Sequence, residues 1–258
     1  PKLVRLFTGL LRPKHQILGN EFAGEIVAVG NDVKTFQIGD RVFGYNDQRF
    51  GAHAEYIAMP ANGNIAIIPP RFSYQEAAPL TEGAHYALCD LRAAKIQSGQ
   101  HILINGATGA IGSAAVQLAK HFGTHVTATC ATAHLDLVKN LGADVVIDYT
   151  TTDFTQLNLT VDLVFDAVGK SSFEQCKPLL NPNGIYISTE LGKNGENLLL
   201  ALTTKLWGNK KLLFPLPTIN KQDVIFLKNI IEKGDFKPVI DKYYHLNQIV
   251  EAYTYVES

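Results

Sequence analysis

The sequence is poor in the residues that staple small folds together. It has three cysteines in 258 residues, Cys89, Cys130 and Cys176, widely spaced and with no Cys-x-x-Cys pair. That spacing excludes a disulfide framework and favours a reducing, cytoplasmic compartment. Long hydrophobic runs are missing too. The longest apolar stretch, Leu198 to Leu202, is far too short to span a bilayer, and no signal-peptide pattern is visible. Neither sign of charge is in excess: 23 Lys and Arg against 24 Asp and Glu give a formal net charge of −1. With no Lys/Arg run, a nucleic-acid partner is not expected, and neither is a membrane.

What remains is 46% hydrophobic and 18% charged, enough apolar material for a large core in one or two domains. The chain is organised around residues 101–123. A short β-type run, Ile102 to Ile104, enters a glycine-rich corner, Gly106-Ala107-Thr108-Gly109-Ala110-Ile111-Gly112. It leaves as a helix with Ala114, Ala115, Leu118, Ala119 and Phe122 on one face. This is the layout of a dinucleotide-binding strand–turn–helix. Gly106 permits the tight turn, Gly109 lets backbone approach a pyrophosphate, and Gly112 lets helix and strand pack closely. The pyrophosphate would sit on free N–H groups at the helix N-terminus. A glycine-rich run alone is weak evidence, but a second strand, His125 to Cys130, supplies the required context.

Residues 1–18 are basic and apolar with little pattern. From residue 20 the text reads as β-structure: strands over Glu25–Val29, Arg41–Phe43, His53–Ala58 and Ile65–Ile68, then a Pro69-Pro70 break. Ser73 and Glu76 have capping-box spacing, and a helix is expected over Gly83–Ala94. Alternation follows: strand 102–104, helix 112–122, strand 125–130, helix 133–141, strands 145–148 and 161–166, helix 171–180, a turn at 181–184, strand 185–189. Strand-like text at 211–214, a helix near 221–233, a strand-like Tyr243-Tyr244 and a helix over Leu246–Val256 close the chain. The alternation predicts an α/β fold, a doubly wound parallel sheet with helices on both faces. The β-rich start and the tail are expected to form one discontinuous domain, since neither has enough residues for a core alone.

Several motifs carry a resemblance. Gly19-Asn20-Glu21-Phe22-Ala23-Gly24-Glu25, Gly30, Gly39-Asp40-Arg41-Val42 and Gly51-Ala52-His53-Ala54-Glu55-Tyr56 resemble the GroES-like domain of medium-chain dehydrogenases/reductases. Asn105 to Gly112 with Ala115 to Lys120 is similar to their cofactor loop, and Leu141-Gly142-Ala143-Asp144 and Asp166-Ala167-Val168-Gly169 extend the match. Within that superfamily the motifs most resemble the zinc-free quinone oxidoreductase (zeta-crystallin-like) branch. The resemblance implies a β-rich GroES-like catalytic domain at 1–84, a Rossmann NAD(P)-binding domain at 85–216 and a return to the first domain at 217–258. Family members have further strands before and after these residues, so the chain reads as cut at both ends.

Zinc-dependent members read Gly-His-Glu where this chain reads Gly19-Asn20-Glu21, and the neutral Asn20 amide is a poor zinc ligand. The family's cysteine-rich zinc lobe is also missing. The eight histidines, His15, His53, His85 and His101 among them, are read as scattered, so no metal is expected. Without that Lewis acid, hydride delivery to a quinone or an α,β-unsaturated carbonyl is favoured over alcohol oxidation. The strand at 125–130 ends Cys130-Ala131-Thr132-Ala133-His134, with no acid for the ribose hydroxyls. NADPH is therefore the expected cofactor and NADH the alternative. Cys130, Thr132 and His134 are its ribose-side candidates, beside the loop residues Gly106, Ala107, Thr108, Gly109, Ala110, Ile111 and Gly112. The resemblance adds Tyr149 near the adenine, and Val168, Gly169 and Thr189 near the nicotinamide. No catalytic residue is assigned. His85 is a weak candidate for a donor at the carboxamide or the substrate carbonyl. The implied function is zinc-independent, NAD(P)H-dependent reduction of a small molecule by a homodimer. The alternatives are a zinc-type alcohol dehydrogenase and a cofactor-binding interaction protein without turnover.

Overall fold

The structure, a computed structural model, describes residues 14–257, so most of the opening basic, apolar stretch lies outside the described residues. The chain divides into two compact units. Unit 1 holds Pro1–Glu82, Ile219–Glu232 and Lys237–Ser258; unit 2 holds Gly83–Thr218 and Lys233–Phe236.

Unit 1 opens with an antiparallel sheet of β1 (Glu21–Glu25), β2 (Arg41–Tyr45) and β3 (Ile65–Ile67), paired in chain order. Val42, Phe43 and Tyr45 of β2 are buried, as befits its middle strand. A one-turn helix, α1 (Tyr74–Ala77), starts at Ser73, whose hydroxyl and backbone exchange hydrogen bonds with Glu76 in the expected capping box.

Unit 2 takes up all but the first residue of α2 (Glu82–Ala93) and alternates thereafter: β4 (His101–Asn105), α3 (Ala110–His121), β5 (His125–Cys130), α4 (Leu135–Asn140), β6 (Val145–Asp148), β7 (Val161–Asp166), α5 (Phe173–Cys176), β8 (Leu180–Ser188), α6 (Glu196–Trp207) and β9 (Lys211–Leu213). The six strands lie in the order β6-β5-β4-β7-β8-β9, every pair parallel. This is the doubly wound sheet that the alternation predicts. Ile102, Leu103 and Ile104 of β4 and Val164 and Phe165 of β7 are fully buried, because a central parallel strand has helices on both faces. The chain finishes in unit 1 with α7 (Lys221–Lys233) and α8 (Ile249–Glu257).

Several elements depart from the sequence reading. β1 occupies residues 21–25 rather than 25–29: its ladder to Arg41–Tyr45 ends there, and Val27 and Val29 are exposed. Residues 53–58 form no strand; backbone bonds from Ala52 to Gly19 and from His53 to Leu18 go no further. The expected helix at 171–180 is a single α-turn. It starts at a Ser172–Gln175 capping box and tightens at Lys177–Leu179, where Pro178 supplies no N–H. The Asn181–Gly184 turn becomes an excursion within β8, which pairs Leu180 with Val161 and resumes at Ile185 with Leu163. Tyr243-Tyr244 belongs to no strand. Helix α6 has no counterpart in the sequence reading. Its Leu198, Leu199, Leu202 and Leu206 are exposed, so its apolar residues do not trace a single buried stripe.

Candidate functional site

Because the sheet is parallel, the C-terminal ends of its strands share one edge, the edge on which such sheets bind ligands. At the end of β4 the chain turns through Gly106, with φ +83°, a conformation costly for any other residue. A Cβ there would also overlap the Val168 side chain, and one on Gly112 would overlap the Gly106 carbonyl oxygen. Helix α3 is thus seated backbone-to-backbone on its strand. Gly109, the N-cap of α3, differs: a Cβ added there meets nothing within 4 Å. Gly109 and Ala110 are exposed, and the first N–H groups of α3 have no intrahelical partner. This corner has both the room and the donors that a dinucleotide pyrophosphate requires.

The corner is tied to its neighbours by buried polar groups that sequence reasoning left without a role. The Gly106 N–H donates to Thr129 Oγ1 at 3.1 Å, and Thr129 donates to Asn105 Oδ1 at 2.6 Å. Asn105 Nδ2 in turn donates to Asp166 Oδ1 at 3.1 Å. Fully buried Asp166 also accepts from Val168 N–H (3.2 Å), Ser171 N–H and Oγ (2.8 and 2.7 Å) and the Tyr186 hydroxyl (3.3 Å). These donors fix residues 167–171 as a second corner, with Val168 exposed against Gly106 and Gly169 against Glu190. Thr189 joins it through its N–H to Asp166 O at 3.1 Å. The signal was present in the sequence: a polar residue closes each apolar strand, Asn105 after Ile104 and Asp166 after Phe165.

On the other side of β4, the ends of β5 and β6 come together. Cys130 pairs with Asp148 in register, and Tyr149 N–H donates to Cys130 O at 3.1 Å. The Cys130 side chain is 1% exposed, so only its backbone can face a ligand. Burial, with the Asp148 charge beside it, raises its thiol pKa. Thr132, His134 and Tyr149 are all exposed. Thr132 donates to Asp148 Oδ2 at 2.6 Å. The structure therefore brings 106–112, 130–134, 149, 168–169 and 189 to one edge. His85 lies in α2, 4% exposed, its ring centroid 4.6 Å from that of Tyr86. Gly83, two residues earlier, abuts the Ala110 backbone.

Comparison with known proteins bears on this arrangement. The chain is 34% identical over 265 residues to a chloroplastic quinone-oxidoreductase of Triphysaria versicolor, an alignment that covers 96% of this chain and 80% of the relative. The chain belongs to the quinone-oxidoreductase branch of the medium-chain dehydrogenase/reductase superfamily. Residues 4–70 match the alcohol dehydrogenase GroES-like domain, and residues 141–258 match the family described as zinc-binding dehydrogenase. A 2-methylene-furan-3-one reductase of Solanum lycopersicum is 32% identical over 257 residues, 95% of this chain and 62% of the relative. Among solved structures, the quinone oxidoreductase of Coxiella burnetii superposes with a TM-score of 0.84 at 27% identity, over 99% of this chain and 78% of that one.

Within unit 1 of this superfamily member, a cavity of about 870 Å³ is lined by Asn20, Glu21, His53, Tyr243, Tyr244 and Tyr253 among others. Asn20 donates to the Tyr45 hydroxyl at 3.3 Å, and its Oδ1 is buried with no hydrogen-bond partner. Burial raises the Glu21 carboxyl pKa, against three donors on Oε1: Thr81 N–H (2.9 Å), Thr81 Oγ1 (2.8 Å) and Glu82 N–H (2.5 Å). Burial lowers the His53 pKa. The histidines are less scattered than the sequence reading has them. His121 and His125 stand four apart, yet His121 pairs with Asp235 at 3.1 Å and His125 with Asp144 at 3.4 Å. Among the described residues, no three His, Cys, Asp or Glu side chains converge as a metal site would need. No described helix is long and apolar enough to cross a membrane.

Proposed function

We propose that this oxidoreductase binds a reduced nicotinamide dinucleotide on the C-terminal edge of the unit 2 sheet and reduces quinones or α,β-unsaturated carbonyls. The open face of Gly109 at the start of α3, between two glycines that admit no side chain, carries the reading. When bound, the cofactor supplies the hydride. The α3 N-terminus would hold the pyrophosphate on backbone N–H groups. Thr132, His134 and the Cys130 backbone would face the adenosine ribose, and Tyr149 the adenine. Val168, Gly169 and Thr189, fixed through Asp166, would orient the nicotinamide. That orientation, with exclusion of water, is the protein's main contribution to rate.

The acceptor class follows from the polar groups of unit 1. Asn20 offers a neutral amide where a zinc ligand would need imidazole or thiolate, so we propose that no metal takes part. A quinone or enone is already electrophilic. The 2-methylene-furan-3-one of the tomato relative carries a carbon–carbon double bond conjugated to a ketone, and the other two comparison proteins are named for quinones. Of the two dinucleotides we propose NADPH, because β5 ends without an acid and His134 adds a donor; the preference should be modest, on the order of tenfold. We further propose a homodimer, since among the described residues β9 is an edge strand of its sheet and α6 carries exposed leucines. Three free cysteines suit a reducing compartment.

The test is NADPH oxidation by protein treated with a chelator, offered a benzoquinone, a cyclohexenone and a saturated ketone. Turnover with the first two and none with the third is expected. Alcohol oxidation that disappears on zinc removal would establish the zinc-type reading instead, and cofactor binding without any turnover the interaction-protein reading. Sedimentation at a mass of two chains is expected for the dimer.

A further inference from the structure

The edge formed by β5 and β6 contains a carboxylate that the β5 sequence alone does not reveal. A dinucleotide-binding sheet that prefers NAD places an acid at the end of its second strand, where it accepts from the ribose hydroxyls. Here β5 ends without one, but the parallel register sets Asp148 of β6 directly beside Cys130 of β5. Thr132 leans onto that carboxylate, with Oγ1 donating to Asp148 Oδ2 at 2.6 Å. Thr150 holds the other oxygen through its N–H at 2.9 Å and its hydroxyl at 2.6 Å.

Two consequences follow from this geometry. A hydroxyl has one proton to give, and that of Thr132 goes to Asp148. Thr150 Oγ1 lies 3.0 Å from the same hydroxyl oxygen, so toward a ligand Thr132 presents a remaining lone pair, which suits a ribose hydroxyl and does not suit a phosphate oxygen. The carboxylate behind it is a negative charge 2.6 Å from the Thr132 hydroxyl, and it would repel a phosphate placed against Thr132. Three hydrogen bonds, that of Thr132 foremost, lower its pKa and keep it ionised at neutral pH.

We infer that Asp148, together with Thr132, determines cofactor choice: it accepts from the ribose 2′-hydroxyl of NADH and repels the 2′-phosphate of NADPH. The acid missing from the end of β5 is supplied by the end of β6. The inference rests on the proposal that this edge takes the adenosine ribose. It also accounts for a small preference, since His134 and the backbone attract the phosphate while Asp148 opposes it.

The experiment is calorimetric titration of NADPH and NADH into wild type, Asp148→Asn and Thr150→Val. Asparagine keeps an acceptor for the Thr150 N–H, so the turn survives while the charge is lost. Asp148→Asn should lower the dissociation constant of NADPH about tenfold and raise that of NADH about threefold, a change read directly in the ratio of the two. The gain should shrink in high salt, which screens exposed charges. Thr150→Val removes a hydrogen bond but no charge, and should leave the ratio within about twofold of wild type. Asp148→Ser, a smaller neutral acceptor, should shift the ratio in the same direction as Asn. An unchanged ratio in Asp148→Asn, with both dinucleotides still binding, overturns the inference and leaves the edge reading intact. Wild type binding neither dinucleotide overturns both.

Discussion

At residues 106–112 the chain faces its proposed ligand with backbone; at residues 130–150 it faces it with side chains. Both stretches stand on one edge of one sheet. In the first, the decisive features are a left-handed φ at Gly106, the contact of Gly112 with the Gly106 carbonyl and the empty space beyond Gly109. In the second, they are the hydroxyls of Thr132 and Thr150 and the carboxylate of Asp148. A backbone corner has few ways to vary and recognises what every dinucleotide shares. A side-chain edge can vary at little cost to the fold, and cofactor choice belongs there. The comparison predicts that changes at the corner should damage fold or binding outright, whereas changes at the edge should move only a ratio of affinities.

The largest effect is expected from Gly112→Val. Its Cβ would overlap backbone atoms of Gly106 and Ala107, none of which can rotate away. The variant should lose about 4 kcal/mol or more, an overpacking effect at the top of the usual range, and urea unfolding would measure it. A Gly112→Val protein of near-native stability would show that the corner is looser than described.

Next comes Asp166→Asn. The carboxylate accepts from five donors at the second corner, and an amide would set its own N–H groups against some of them. A loss of about 3 kcal/mol is expected by the same measurement. The matching change at the edge, Asp148→Asn, should alter stability little because that group is half-buried and its donors can turn to water. Equal losses at the two aspartates would erase the distinction.

A third aspartate, in neither region, gives the comparison a pH scale. Asp90 of α2 is 3% exposed, and burial raises its carboxyl to about 7. Its folded pKa lies above the unfolded value, so the folded state holds the proton more tightly. The contribution is fully present below about pH 4 and is lost as pH rises toward 7. Asp90→Asn should therefore raise the melting temperature at pH 8, by a stabilisation on the order of 2 kcal/mol, and lose that advantage by pH 4. A gain independent of pH would mean that burial of the charge is not its cause.

How much of this could be read from the sequence follows the same division. Glycine is how a sequence records backbone demands, so the turn at Gly106 and the close packing at Gly112 were legible in it, while the approach role of Gly109 remains a proposal. Strands β5, β6 and β7 occupy the residues that the sequence reading gives them, 125–130, 145–148 and 161–166. Asp148 escaped notice because its partner Thr132 lies 16 residues away, and only the parallel register joins them. Asp166 was visible as part of a motif, but its five donors come from four other residues. Helix α6 was hidden by its exposed leucines, and β1 was misplaced by four residues because its strand-forming text continues past its pairing partner.

The central claim is that the open face of Gly109 is where a dinucleotide pyrophosphate lies, and Gly109→Val tests it most directly. The residue has φ −70° and no neighbour within 4 Å of an added Cβ, so valine should leave the fold intact while filling the pyrophosphate space. Calorimetric titration should give saturable binding of NADPH to the wild type and at least about 100-fold weaker binding to Gly109→Val, with unchanged unfolding midpoints. Wild-type affinity in the folded variant would contradict the claim.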